Sequence, residues 1–98
     1  MNTRILSLIG MARRASKIAT GSAQVEAMMK KRKGYLLIMA EDALNTQKKY
    51  NQWAGDLKLP ILVIGTKLEL GHSIGLSPRS AVLILDQGFA KAISLARS

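Results

Sequence analysis

The segment Gly21-Ser22-Ala23-Gln24 has the residue types best suited to recognition chemistry in this sequence. A Gly-Ser pair ahead of an apolar-periodic stretch marks a helix start, whose free N–H groups and positive dipole end suit a phosphate or a base edge. Gly21 lacks a Cβ and permits close approach. Gln24 adds an amide that donates and accepts in one plane, as pairing with a base edge requires. The plainer reading is a Ser22 N-cap and nothing more. In the loop Leu76-Ser77-Pro78-Arg79-Ser80, the leucine suits stacking on an unpaired base and Arg79 suits a phosphate; otherwise the loop is a proline-stiffened connection. Glu41, Asp42 and Asp86 each follow an apolar run, a placement that suits magnesium and equally suits capping helices or tying down loops. Gly65-Thr66-Lys67 lacks the glycine-rich loop that precedes a phosphate-binding lysine. His72, the single histidine, has no nucleophile at motif spacing, and with no cysteine in the chain a zinc site has no ligand set. No catalytic residue, metal or cofactor is expected.

Charge supplies the partner class. Fifteen Lys plus Arg stand against six Asp plus Glu, a formal net charge of +9. Residues 1–33 hold eight of the cations and one acid, Glu26, so +7 lies in the first third and +2 in the rest. Such concentration predicts a positive face whose natural partner is a polyanion, an anionic membrane surface being possible in principle. Its bland counterpart is a solvated charge run. Arg13, Arg14, Lys17 and Lys31 are the expected phosphate contacts. If each neutralises one phosphate, log K falls against log salt with a slope of about −3 to −4.

The elements that must position these groups follow from hydrophobic spacing. Ninety-eight residues with 48% hydrophobic content and a mean hydropathy of +0.11 make one domain, 1–98, able to bury a core. Ile5, Leu8, Ile9 and Ala12 predict a helix over Thr3 to Ala15. A short extended piece, Lys17 to Thr20, precedes a Ser22-capped helix through Val25, Met28 and Met29. Its basic end, Lys30 to Lys33, suits the dipole, with Gly34 as the C′ residue. Buried strands are predicted at Tyr35 to Ala40, Ile61 to Ile64 and Ala81 to Leu85. Between them lie a helix capped by Asn45 or Thr46 and running to about Lys58, and a short helix Lys67 to Ile74 closed by Gly75. Gly88 to Ala96 is the last helix, and the methionines, Met11 included, are read as core filler. Alternating strand and helix predict an α/β fold: a three-layer α/β/α sandwich around a mixed, mostly parallel four-stranded sheet. No apolar run approaches the ~20 residues that span a bilayer. Arg4, the apolar stretch after it and Arg13-Arg14 imitate a signal peptide, but the arginine pair stands where cleavage should fall, so mature sequence and a cytoplasmic location are expected.

Taken together, Ala12-Arg13-Arg14-Ala15-Ser16-Lys17 with Gly21, Leu36 to Ala43, Asn45-Thr46, Pro60, Gly65-Thr66-Lys67, Leu70-Gly71, Ile74-Gly75 and Asp86 to Lys91 resemble, in order and spacing, the ribosomal L-seven-Ae and L-thirty-e family of kink-turn RNA-binding proteins. The arginine-rich start and the Gly-Phe-Ala-Lys ending favour its bacterial YlxQ-type branch. The resemblance covers nearly the whole chain. It implies a compact, monomeric, non-catalytic α/β/α protein that binds structured RNA, such as rRNA or another kink-turn RNA, with ribosome association a further implication and DNA not a partner. It also implies that the start of the second helix meets the tandem sheared G·A pairs. Of the family's Gly-x-Asn-Glu-x-x-Lys pattern, Gly21 matches, Ala23 replaces the asparagine, Gln24 stands for the glutamate and Ala27 replaces the lysine, which implies altered kink-turn recognition. Lys67 falls on an RNA-contacting lysine, Leu76 on the apolar residue that covers an extruded base, and Arg79 one place beyond the loop arginine. The RNA-binding set is therefore Gly21, Ser22, Gln24, Lys67, Leu76 and Arg79. Two other readings stay open: a nucleotide- or RNA-directed enzyme using Glu41, Asp42 and Asp86, and a protein-interaction module whose RNA site has decayed at Ala23 and Ala27.

Overall fold

The computed structural model describes residues 3–97. Its elements are α1 (Thr3–Arg14), β1 (Ile18–Thr20), α2 (Ser22–Lys30), β2 (Leu36–Met39), α3 (Leu44–Asp56), β3 (Ile61–Val63), α4 (Lys67–Ser73), β4 (Ala81–Ile84) and α5 (Gln87–Ala96). Alternation along the central strands creates two cores. Leu36, Ile38, Val82 and Ile84 meet α1, α4 and α5 through Ile5, Ile9, Leu70 and Ile93. Leu37, Met39, Ala81 and Leu83 point the other way, onto Val25 and Met29 of α2 and Tyr50 and Ala54 of α3. A central strand must be apolar on both faces for this to work, and β2 and β4 are buried at every position. The three-layer sandwich is thus present.

The balance of strand directions differs from the expectation. The order is β1-β4-β2-β3, and only β2 with β3 is parallel, Leu37 facing Ile61; β4 runs antiparallel to both neighbours, Leu83 facing Ala19 on one side and Leu37 on the other. The reason lies in α4. Its seven residues span about 10 Å. The chain then turns back at Gly75 (φ 70°) and re-enters the sheet at the end where β1, β2 and β3 finish. Strand–helix alternation predicts parallel neighbours only when the helix carries the chain back to the starting edge. As an edge strand, β3 leaves Val63 exposed and Ile61 half-buried, so it is not the fully buried strand its composition implies. Met11 is 46% exposed and not core.

Helix ends also depart in detail. Gly21, with φ 86°, is the N-cap of α2 and Ser22 its first residue; Ala43 caps α3 in place of Asn45 or Thr46. At the far ends, α1, α2, α3 and α4 close by the same pair of backbone bonds, for α2 Arg32 N–H to Met29 O (3.0 Å) and Lys33 N–H to Met28 O (3.0 Å). The left-handed residue that permits this is glycine only at Gly75; elsewhere it is Ser16, Arg32 and Lys58, with φ of 55° to 59°. Gly34 is therefore not the C′ residue. A Cβ there would overlap the Leu83 side chain, so glycine lets the backbone settle onto the sheet. Among the described residues no helix is long and apolar enough to cross a membrane.

Candidate RNA interface

Because β4 enters the sheet from the end where the other strands finish, four connections gather on one rim: β1–α2, β2–α3, β3–α4 and the loop from α4 to β4. Hydrogen bonds stitch them together. Thr20 Oγ1 donates to Ala81 O (3.0 Å), Ala40 N–H to Ser80 O (3.0 Å) and Glu41 N–H to Gly65 O (2.7 Å). Lys67 N–H donates to Asp42 Oδ1 (2.9 Å), and Lys67 O accepts from Arg79 N–H (2.9 Å). Between the start of α2, the first turns of α3 and Pro78-Arg79 lies a groove of about 420 Å³. It brings Gly21, Ser22 and Arg79 together with Asn45, Thr46 and Lys49.

Each expected residue has a definite place. A Cβ on Gly21 would meet no atom within 4 Å, so its bare Cα faces open space, while its positive φ makes glycine the unstrained choice. Ser22 is exposed in the first turn of α2 and lines the groove beside Tyr50. Gln24 is exposed and its Oε1 accepts from Thr20 N–H (3.0 Å), which pins the side chain and leaves its two amide N–H donors without a hydrogen bond among the described residues. Arg79 is half-buried, and its Nη1 folds onto Ser77 Oγ (2.8 Å) and Pro78 O (3.2 Å), stiffening its own loop. Leu76 packs partly against the α1/α4/α5 core, leaving only part of the side chain for a base. Lys67 is exposed and joined to the groove through Arg79.

Arg13, Arg14, Lys17 and Lys31 do not join this rim. Lys17 precedes β1 and Lys31 follows α2, so both stand at the opposite end of the sheet, roughly 14 Å away by the length of α2. Arg13 and Arg14 end α1 at that same far end, and Arg14 lines a shallow depression between α1 and α4 with Glu69 and His72. Two of the three strand-end carboxylates are structural: Asp86 Oδ2 caps α5 by accepting from Phe89 N–H (2.9 Å), and Asp42 holds α4 as described. Thr66 and Glu69 form a reciprocal capping box on α4, a pattern visible in Thr-x-x-Glu.

Asn45 and Thr46, expected as cap candidates, also line the groove, as do Tyr50 and Lys49, the last of which sequence spacing did not single out. Tyr50 donates to Glu26 Oε2 (2.7 Å), which pairs with Lys49 Nζ (2.8 Å), tying α2 to α3 and aiming Lys49. The Lys49 hydrogen bond, then that of Tyr50, holds the Glu26 carboxyl below its ordinary 4.5. Glu26 raises Lys49 in turn, and burial ahead of Glu26 raises Tyr50. A carboxylate lowered by folding contributes stability above its unfolded value and loses it as pH falls through the folded one. The tie is therefore complete at neutral pH and starts to weaken only below about pH 4.5, being lost as pH falls through the lower value Glu26 has in the folded protein. Glu26→Gln should narrow the difference in Tm between neutral and acidic solution, read by circular dichroism; an unchanged difference would mean the tie contributes nothing.

Comparison with known proteins agrees with this architecture. The family model described as Ribosomal protein L7Ae/L30e/S12e/Gadd45 family matches residues 3–94. RNA-binding protein YlxQ of Bacillus subtilis (strain 168) is 38% identical over 90 residues, 90% of each chain. RNA-binding protein YlxQ of Enterococcus faecium is 34% identical over 89 residues, 90% of this chain and 85% of that one. A solved protein of unknown function from Bacillus halodurans C superposes with a TM-score of 0.88 at 33% identity, covering 93% of both chains. The Giardia lamblia 15.5kD RNA binding protein, at 20% identity, shares the fold with a TM-score of 0.81 over 96% of this chain and 82% of its own. Matched over almost its whole length by the family's pattern and by relatives above 30% identity, the chain belongs to the ribosomal protein L7Ae/L30e/S12e/Gadd45 family.

Proposed function

We propose that this protein binds structured RNA without catalysis, recognising a kink-turn or related motif through the groove rim, as a cytoplasmic monomer with the ribosome among its candidate settings. One observation carries the reading: Gly21-Ser22, Asn45-Thr46-Lys49 and Pro78-Arg79, distant in sequence, wall one open groove beside a helix N-terminus. The helix offers N–H donors and partial positive charge, Gln24 offers two amide donors, and Lys49, Lys67 and Arg79 supply cations for the backbone. That arrangement suits RNA whose non-Watson–Crick pairs expose base edges in an accessible groove. Names of the bacterial relatives support RNA as the ligand. A non-catalytic role fits the structural duties of Asp42 and Asp86.

The deciding experiment compares a kink-turn with the same duplex carrying Watson–Crick pairs in place of the G·A pairs. The kink-turn should bind at least tenfold more tightly, and Gln24→Ala should remove most of that preference, one good base contact being about 1 to 3 kcal/mol. Because Gln24 is exposed, its loss should leave the circular dichroism spectrum intact. Equal affinity for both duplexes sinks recognition of the motif and favours the protein-interaction reading.

A further inference from the structure

The end of the sheet opposite the groove holds the basic concentration. Arg13, Arg14, Lys17, the run Lys30 to Lys33 and Lys58 all lie where α1, α2 and α3 end and where β1 and β2 begin. Within it is Tyr35, 47% exposed, whereas Tyr50 is buried and Trp53 and Phe89 are half-buried. The ring lines a cleft of about 180 Å³ between Arg32 and Lys58, with Met29, Leu57 and Pro60 also in the lining and no acid among it. Asp56, the acid closest along the chain to Lys58, sits in the last turn of α3. The cleft is too small for a cofactor-sized ligand, for which about 300 Å³ is the lower bound, and suits a single flat ring. Its position is fixed: Tyr35 N–H donates to Ile84 O (2.9 Å), and Gly34 lies against Leu83.

Arg32 and Lys58 occupy matching backbone positions, each the left-handed residue on which its helix closes. Arg32 and Lys58 both adopt the left-handed region, with φ of 56° and 55°, where a residue with a Cβ stands about 1 kcal/mol above glycine. Two long cations are thus held in strained positions on the two sides of one cleft.

We propose that this end is a second RNA-binding surface, in which an unpaired base stacks on Tyr35 between Arg32 and Lys58 while flanking phosphates lie along Lys30 to Lys33 and toward Lys17. An exposed aromatic ring among cations is the chemistry of single-stranded nucleic acid binding, where stacking holds the base and charge follows the backbone. The groove rim and this cleft face opposite ways, so one molecule contacts two separated stretches of RNA, one by motif and one by an unpaired nucleotide.

The test uses the full-length protein with a fluorescein-labelled single-stranded oligouridine and, separately, a kink-turn duplex, both read by anisotropy. Tyr35→Ala should weaken the single strand about tenfold or more, and Tyr35→Phe should restore it, since the ring and not the hydroxyl stacks. Arg32→Gly with Lys58→Gly removes two cations while relieving both strained positions, so its Tm by circular dichroism should be no lower than that of wild type and a binding loss is then read as loss of contacts. It should flatten the slope of log K against log salt for the single strand by about 1.4. None of these variants should alter discrimination between G·A and Watson–Crick duplexes, so failure here is separable from failure of the groove reading. The proposal is overturned if the single strand binds Tyr35→Ala as it binds wild type. It also falls if the glycine pair leaves affinity and salt slope unchanged, or if a polyglutamate peptide of equal charge displaces the RNA as well as unlabelled oligouridine does.

Discussion

Replacing Gly71 by alanine should cost about 3 kcal/mol of stability and weaken RNA binding with it. A Cβ at this position would overlap the Ser77 carbonyl oxygen, and would lie 2.6 Å from Ser77 C and 2.8 Å from Pro78 Cα. These are backbone atoms and cannot rotate aside. The bond from Leu76 N–H to Gly71 O (2.9 Å) holds the same two segments together, so α4 and the loop must part for a methyl group to fit. Because Pro78 and Arg79 wall the groove, that separation reaches the interface. For a domain this small the expected fall in Tm is on the order of 12 °C or more, with the denaturant midpoint moving alike. Gly55→Ala is the matched control. A Cβ there meets nothing within 4 Å and the backbone has no positive φ, so alanine should stabilise α3 by about 0.5 to 1 kcal/mol. A Gly71→Ala protein as stable as wild type would show that the loop is not seated on α4.

Restoring the family pattern with Ala23→Asn and Ala27→Lys should tighten binding to a standard kink-turn by tenfold or more. Ala23 is the second residue of α2 and Ala27 lies one turn beyond it; both are exposed. An asparagine beside Gln24 adds a second amide at the base edge, about 1 to 3 kcal/mol if it pairs well, and the lysine adds one phosphate or base contact. Against this, asparagine for alanine within a helix costs about 0.5 kcal/mol of stability. The gain should vanish on the Watson–Crick control duplex except for the charge contribution, which salt removes. Should the double variant bind the kink-turn no better than wild type, and Gln24→Ala prove silent as well, the start of α2 is not where the motif is read.

How much of this was legible in the sequence depended on how local its cause is. Leu36 to Met39 and Ala81 to Ile84 were readable as buried strands because an unbroken apolar run fits two covered faces. The direction of β4 was not, since it follows from Gly71 seating the Ser77-Pro78 backbone close to α4 and so turning the chain back early. The Thr66-Glu69 capping box was present in the letters, whereas Ser22 and Asn45 mislead because Gly21 and Ala43 occupy the cap positions without contributing a side chain. Gly34 looked like a helix terminator, yet Arg32 takes the left-handed turn and Gly34 accommodates Leu83. Resemblance pointed to Gly21 and Arg79 and the helix start to Ser22, and all three line one groove; Lys49 emerged only when α3 was seen to pack beside α2. The far placement of Lys17 and Lys31 was in principle readable. A strand separates Lys17 from Gly21, and a helix separates Ser22 from Lys31, so adjacency in sequence argued against adjacency in space.

The three helices that close on Ser16, Arg32 and Lys58 instead of glycine bear on how this protein tolerates change. Each is a reserve of about 1 kcal/mol that one substitution to glycine releases. The reserve is not equally accessible to selection. Glycine at 16 alters no charge, so that route is open; at 32 and 58 the same gain removes a cation from the Tyr35 cleft. Lineages that have lost single-strand binding should therefore drift to glycine at 32 and 58, while those that keep it should gain robustness through position 16 first.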